Sequence, residues 1–164
     1  MIDQSHHRIC RHVIPERHLQ DSISPHFQHR YTKMAGKFEP KHKVDLDPPK
    51  DDIISVDHLA KCDGKHEGFP TYVAIKGTIF DVTGNKAYGP EGSYKVFAGR
   101  DASRALAQSS LKDEECRPDW YDLSPEHKKV LNDWYTFFSK RYNIKGKVEG
   151  AQNTGEDQPE EEKL

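Results

Sequence analysis

The chain has 164 residues and a formal net charge of -2, with 34% hydrophobic and 32% charged residues and a mean hydropathy of -0.95. Such a composition cannot bury a core along its whole length, so it predicts one small domain with unstructured flanks. The near-balanced charge gives no electrostatic footprint for nucleic acid, and no run approaches the about 18 apolar residues of a transmembrane segment.

Residues 1–33 hold six of the ten histidines without clean periodicity. A His-rich tract can bind metal; a solvated extension fits the pattern better. Met34 opens MAGKFEPKH, which reads as a start in its own right, so the stretch before it is also a candidate mis-assigned start. Residues 35–52 are charged and contain proline, the composition of a linker. The expected organisation is a disordered His-rich extension and linker over 1–52, a folded domain over 53–148, and an acidic disordered tail over 149–164. Cys10, Cys62 and Cys116 are widely spaced with no CxxC, which predicts free thiols in a reducing compartment. The N-terminus lacks the apolar run of a signal peptide.

Within the domain, SVDHLAKCDG predicts a short helix capped by Ser55 and ended by Gly64. TYVAIKGTIFDVTG reads as a hairpin turning at Lys76-Gly77. The alternation of Ile79 and Asp81 with Phe80 and Val82 predicts one face more buried than the other. LKDEECRPDWYDL reads as a polar connector. SPEHKKVLNDWYTFFSKRY is the clearest helix, with Ser124 as N-cap, Pro125 at its first position, and Val130, Leu131, Trp134, Phe137 and Phe138 on one face. Gly146 is expected to stop it, with IKGKV as a last strand. Short strands and short helices interleave without a βαβ repeat, so the class is α+β.

Between the hairpin and the connector lies AYGPEGSYKVFAGRDASRALA, residues 87–107. Gly89-Pro90-Glu91-Gly92 predicts a sharp turn, with proline fixing φ and the glycines supplying left-handed backbone. That turn would face Tyr88 and Tyr94 into one space. Asp101 is placed to cap a helix whose Ala102, Ala105 and Ala107 make a thin wall for a flat ligand, with Arg100 and Arg104 at an anionic rim. From residue types alone, half-buried core tyrosines with satisfied hydroxyls account for the pair better.

The run YGPEGSYKVFAGRDASRALA, with FDVTGNKAYGP before it and LNDWYTFFSKRY after it, resembles the membrane-associated progesterone receptor family, haem-binding relatives of cytochrome b5. The resemblance covers about residues 53–147. It implies a cytochrome b5-like haem/steroid-binding domain with short helices packed on a small sheet, holding ferric haem b through one tyrosine. On this chain the implied iron ligand is Tyr94, Tyr88 is its hydrogen-bonding partner, and Arg141 and Tyr142 sit near the haem edge. Arginine stands at 141 where the family usually has lysine, which alters the geometry of a propionate contact. A phenolate is a hard anionic donor that favours ferric iron.

The resemblance further implies cytochrome P450 enzymes of sterol synthesis as partners and pairing of two copies through exposed haems; the direct reading of the sequence is a cytoplasmic protein, and such a partner would place it peripherally on the endoplasmic reticulum or another endomembrane. Two other readings stand beside it: a sterol or hydrophobic-ligand receptor using the same cleft, and a b-type electron-transfer protein. The last would need two histidines; the chain has no HPGG, and only His58, His66 and His127 fall in the domain. No GxSxG, HExxH or Walker loop marks an enzyme.

Overall fold

Ser55 begins the first helix by accepting a hydrogen bond from the His58 amide at 3.2 Å, and helix α1 runs Val56–Lys61 until Gly64 turns the chain with φ +75°. The computed structural model describes Pro40 and residues 42–154. The expected His-rich extension, the Met34 start, Cys10 and the last ten residues of the acidic tail lie outside the described residues.

Strand β1 (Ile53–Ile54) precedes α1, β2 (Tyr72–Ile75) and β3 (Thr78–Asp81) follow it, and β4 (Ile144–Val148) closes the domain. The sheet order is β1-β4-β3-β2, with β1 parallel to β4 and the other pairs antiparallel. The β2–β3 turn is the expected Lys76-Gly77. Both residues have positive φ, 51° and 70°, which matches the right-handed twist of a two-residue hairpin. The free edge of β2 is covered by residues 99–102: the Ala74 amide donates to the Arg100 carbonyl and the Ala102 amide to that of Ala74, both at 2.9 Å. A covered edge is closed to pairing with another chain.

Both faces of this hairpin are buried, rather than one. Phe80 and Val82 enter the main core, while Ile79 packs with Leu59 and Ala74 in a second cluster under α1. The main core is roofed by helix α2 (Ser103–Ala107) and helix α3 (Pro125–Ser139). Ser124 and Pro125 start α3 as expected, and Leu131, Trp134 and Phe138 are its buried face.

Three further positions differ from expectation, each through contacts distant in sequence. Gly146 does not stop α3, which ends at Ser139 with Lys140 as its C-cap. It sits inside β4 at φ +153°, where a Cβ would overlap the Asp52 carbonyl. The connector's Trp120 is fully buried in the core. Its indole donates to the Asn153 carbonyl at 3.1 Å, and the Lys76 ammonium lies 4.8 Å from its ring centre. Packed structure also runs past 53 and 148. Asp47 and Asn143 exchange hydrogen bonds of 2.8 and 3.1 Å, the Lys147 amide donates to Asp52 at 2.8 Å, and Asn153 is buried.

Trp120→Ala should cost about 3–5 kcal/mol of stability, read by urea denaturation. Trp120→Phe should cost clearly less, because it keeps an aromatic ring and most of the buried volume while losing the bond to Asn153.

Candidate functional site

Tyr88 ends one 3-10 turn (Lys86–Tyr88) and Tyr94 caps the next (Lys95–Phe97). Asn85 shapes the first turn: its side chain accepts from the Ala87 amide at 3.0 Å and its carbonyl from the Tyr88 amide at 3.1 Å. The Tyr94 amide then donates back to the Ala87 carbonyl at 2.8 Å, closing the loop between the two tyrosines. The glycines serve this loop differently from the expectation. Gly89 has φ -73°, and Gly92 is not among the residues with positive φ. What position 92 requires is the absence of a side chain, because a Cβ there would overlap the backbone of Lys86 and Ala87.

The rings meet as the turn dictates. Tyr88 and Tyr94 have centroids 5.8 Å apart, and Tyr94 stacks on Phe97 at 5.8 Å with 20° between planes. From the end of α3, Tyr142 crosses Tyr88 at 6.3 Å and Phe138 at 5.0 Å. Both Tyr88 and Tyr94 are about 5% exposed or less, and the Tyr94 hydroxyl oxygen is buried. Tyr142 is half-buried, and its hydroxyl accepts from the Asn85 side chain at 2.7 Å. Burial pushes its phenol pKa up; hydrogen bonds to Asn85 and Tyr88, and the charge of Arg141, act in the opposite direction.

Three of the four sequence-predicted site residues, Tyr88, Tyr94 and Tyr142, thus converge. Arg141 places its guanidinium 3.8 Å above the Phe137 ring, donates to the Phe137 carbonyl at 3.4 Å, and acts on Tyr142 through its charge. Asn85, Phe97 and Phe138 join the cluster without having been expected there. Asn85 had a local signal, an Asx turn two residues before Ala87; Phe97 and Phe138 had none beyond hydrophobicity.

The thin wall and the cationic rim turn out differently. Ala102, Ala105 and Ala107 are fully buried within the main core. Arg100 pairs with Asp113 at 2.7 Å, and Arg104 with Asp122 at 2.8 Å and Asp119 at 3.1 Å. The N-cap of α2 is Ala102 rather than the expected Asp101; Asp101, one residue earlier, accepts from the Ser103 amide at 3.0 Å. His58 and His66 lie against Phe69, 5.7 and 6.4 Å between ring centres, with His66 also 2.9 Å from Asp63. Among the described residues, no group of three or more His, Cys, Asp or Glu side chains is placed to hold a metal ion. The chemistry of the donor set fits haem iron: three phenols converge, backed by apolar rings.

Residues 55–140 match the family described as cytochrome b5-like heme/steroid binding domain. The chain is 43% identical over 96 residues to probable steroid-binding protein 3 of Arabidopsis thaliana, covering 58% of this chain and 96% of that one. It is 46% identical over 85 residues to cytochrome P450 regulator dap1 of Schizosaccharomyces pombe, covering 47% of this chain and about half, 51%, of that protein. A solved Arabidopsis thaliana structure described as having a cytochrome b5 like fold superposes with a TM-score of 0.56 at 42% identity, over 59% of this chain and 90% of that one.

Two outcomes follow from the cluster. Gly92→Ala should destabilise the domain by about 1–3 kcal/mol or more, since backbone stands where the methyl must go; thermal unfolding measures it. Because the Tyr142 pKa is raised on folding, its neutral form contributes stability that is complete below the ordinary phenol value of about 10 and is lost as pH rises through the folded value. Unfolding free energies between about pH 9 and about pH 11 should therefore fall less steeply in Tyr142→Phe than in the native protein.

Proposed function

The chain belongs to the cytochrome b5-like heme/steroid-binding domain family, in its membrane-associated progesterone receptor branch, and from that footing we propose that it is a haem-binding regulatory protein. The observation that carries this reading is the convergence of Tyr88, Tyr94 and Tyr142 in one aromatic cluster. Tyr94 is the proposed iron ligand and Tyr88 the phenol that orients it. Tyr142 and Arg141 flank the same end of α3, where a guanidinium offers a partner for a carboxylate.

Haem, when bound, would supply a Lewis-acidic iron, and an anionic oxygen donor such as Tyr94 would favour its ferric state. The protein's own part is to hold a phenol where it can lose its proton. Free tyrosine ionises near pH 10, so the phenolate needs a neighbouring positive charge and a hydrogen-bond donor. The Tyr88 hydroxyl is the donor we assign to the second role. Because the Tyr94 oxygen is buried, ligand entry requires at least one ring of the cluster to move. Tyr142 is the half-exposed member, latched by Asn85, and is the ring we assign to that movement.

A role in supporting cytochrome P450 enzymes, including those of sterol synthesis, is favoured by the likeness to a cytochrome P450 regulator. It would act by association rather than by turnover, and a peripheral position on the endoplasmic reticulum follows from such a partner. Among the described residues no helix is long and apolar enough to cross a membrane. A second reading, binding of a sterol-like molecule, is favoured by the likeness to a probable steroid-binding protein.

Hemin titration of the full chain should give a saturable one-to-one Soret band with high-spin ferric features. Tyr94→Phe should weaken it strongly, by at least about tenfold for loss of a charge-assisted contact. Equal binding by the variant would remove Tyr94 as the ligand.

A further inference from the structure

A cavity of about 570 Å³ shares no residue with the tyrosine cluster. Val56 and Leu59 of α1, Val148 of β4, Ala151, and the connector's Cys116 and Tyr121 give it an apolar wall. Its size lies in the 300–1,000 Å³ range of small-molecule sites, which are mostly apolar with a few polar groups.

Four charged side chains also line it: Glu149, exposed at its rim, and three that are already engaged within the protein. Arg100 holds Asp113 at 2.7 Å, and Asp119 holds Arg104 at 3.1 Å. Asp101 accepts from the Gly77 amide at 3.1 Å and the Asn153 side chain at 3.0 Å. A charged ligand would have to compete with these internal pairs. An uncharged one would not, and the Tyr121 hydroxyl, donating to the Gln152 carbonyl at 3.2 Å, offers its oxygen as an acceptor to a ligand hydroxyl.

The mouth carries exposed apolar side chains beside the Glu149 carboxylate. Val56 is 60% exposed. Ile53, 65% exposed, lines a neighbouring depression that shares Glu149 with the cavity. Exposed branched side chains at a cavity mouth favour entry of an apolar molecule by removing their own surface from water.

We propose that this cavity, and not the tyrosine cluster, binds an uncharged, largely apolar ligand of sterol size. The ligand class rests on the second reading above; the location rests on the cavity alone. Haem and the apolar ligand then occupy separate sites and bind independently.

The test titrates the full chain with dehydroergosterol, following energy transfer from tryptophan, and separately with hemin. Val56→Asp places a charge on the cavity wall at a helix N-terminus that tolerates an acidic residue; its thermal unfolding midpoint checks the fold. Val56→Asp should weaken dehydroergosterol binding by at least about tenfold, the cost of an unpaired charge against apolar surface, and leave hemin binding unchanged. Tyr94→Phe should do the reverse. Bound dehydroergosterol should also slow iodoacetamide labelling of Cys116, located by mass spectrometry, about tenfold when present at ten times its Kd.

Sterol binding lost in Tyr94→Phe but kept in Val56→Asp would move the ligand to the tyrosines and overturn the proposal. So would the absence of a saturable sterol response, even with hemin binding intact, which would leave the haem reading standing. Failure of hemin alone would sink the haem reading and not this one.

Discussion

One side chain ties together three parts of the chain that are remote in sequence. The Asp101 carboxylate accepts from the Gly77 amide in the hairpin turn, from Ser103 at the start of α2, and from Asn153 in the C-terminal segment. Ser103 in turn accepts from the Lys76 amide at 2.7 Å, and Asn153 also donates to the Pro118 carbonyl at 3.0 Å. Removal from water raises the Asp101 pKa, and the donors around it act in the other direction. A desolvated carboxylate is tolerated only when such donors surround it. The hairpin, the roof helix and the closing segment therefore have to arrive together. Removing one donor leaves the charge poorly compensated, which is costlier than never having built it.

The aromatic cluster inherits its geometry from this arrangement. Residues 99–102 run beside β2, and the next residues back toward the N-terminus are the turn that carries Tyr94. The Gly99 amide donates to Tyr72 at 2.7 Å, fixing one end of that turn. The bond from the Tyr94 amide to Ala87 fixes the other. Between them the two tyrosines have little freedom, and Phe138 of α3 and Tyr142, just past its C-cap, come against them. The site is thus built from a short loop pinned at both ends and from the last turn of a long helix, a division that keeps the phenols close while leaving one of them half-exposed.

Local signals were readable in the sequence wherever physics acts over a few residues. Ser55 and Ser124 capped helices as their chemistry predicts, and Lys76-Gly77 turned the hairpin. The cytochrome b5-like fold was legible through the resemblance of residues 53–147. What escaped was every role defined by a partner far along the chain. Trp120 sits among polar neighbours yet fills the core, because Asn153 and Lys76 come to it. Gly146 looked like a helix stop, but it makes room for Asp52. Gly92 looked like a source of left-handed backbone, and it is instead a point of close approach within its own loop. Arg100 and Arg104 looked free to meet an anion, whereas acids from residues 113–122 fold back onto them.

The parallel pairing of the first and last strands sets how the domain responds to mechanical force. Residues 50–54 run alongside 144–149, joined by bonds from the Lys50, Lys147 and Glu149 amides to Ile144, Asp52 and Ile54 at 3.2, 2.8 and 2.8 Å. A pull applied through the two flanking segments acts along the strands in opposite directions. The bonds are then strained in shear, several at once, instead of being peeled apart one after another. A tether at one end and a partner tugging at the other would therefore meet resistance at the seam where the domain opens and closes, before the tension reached the tyrosines.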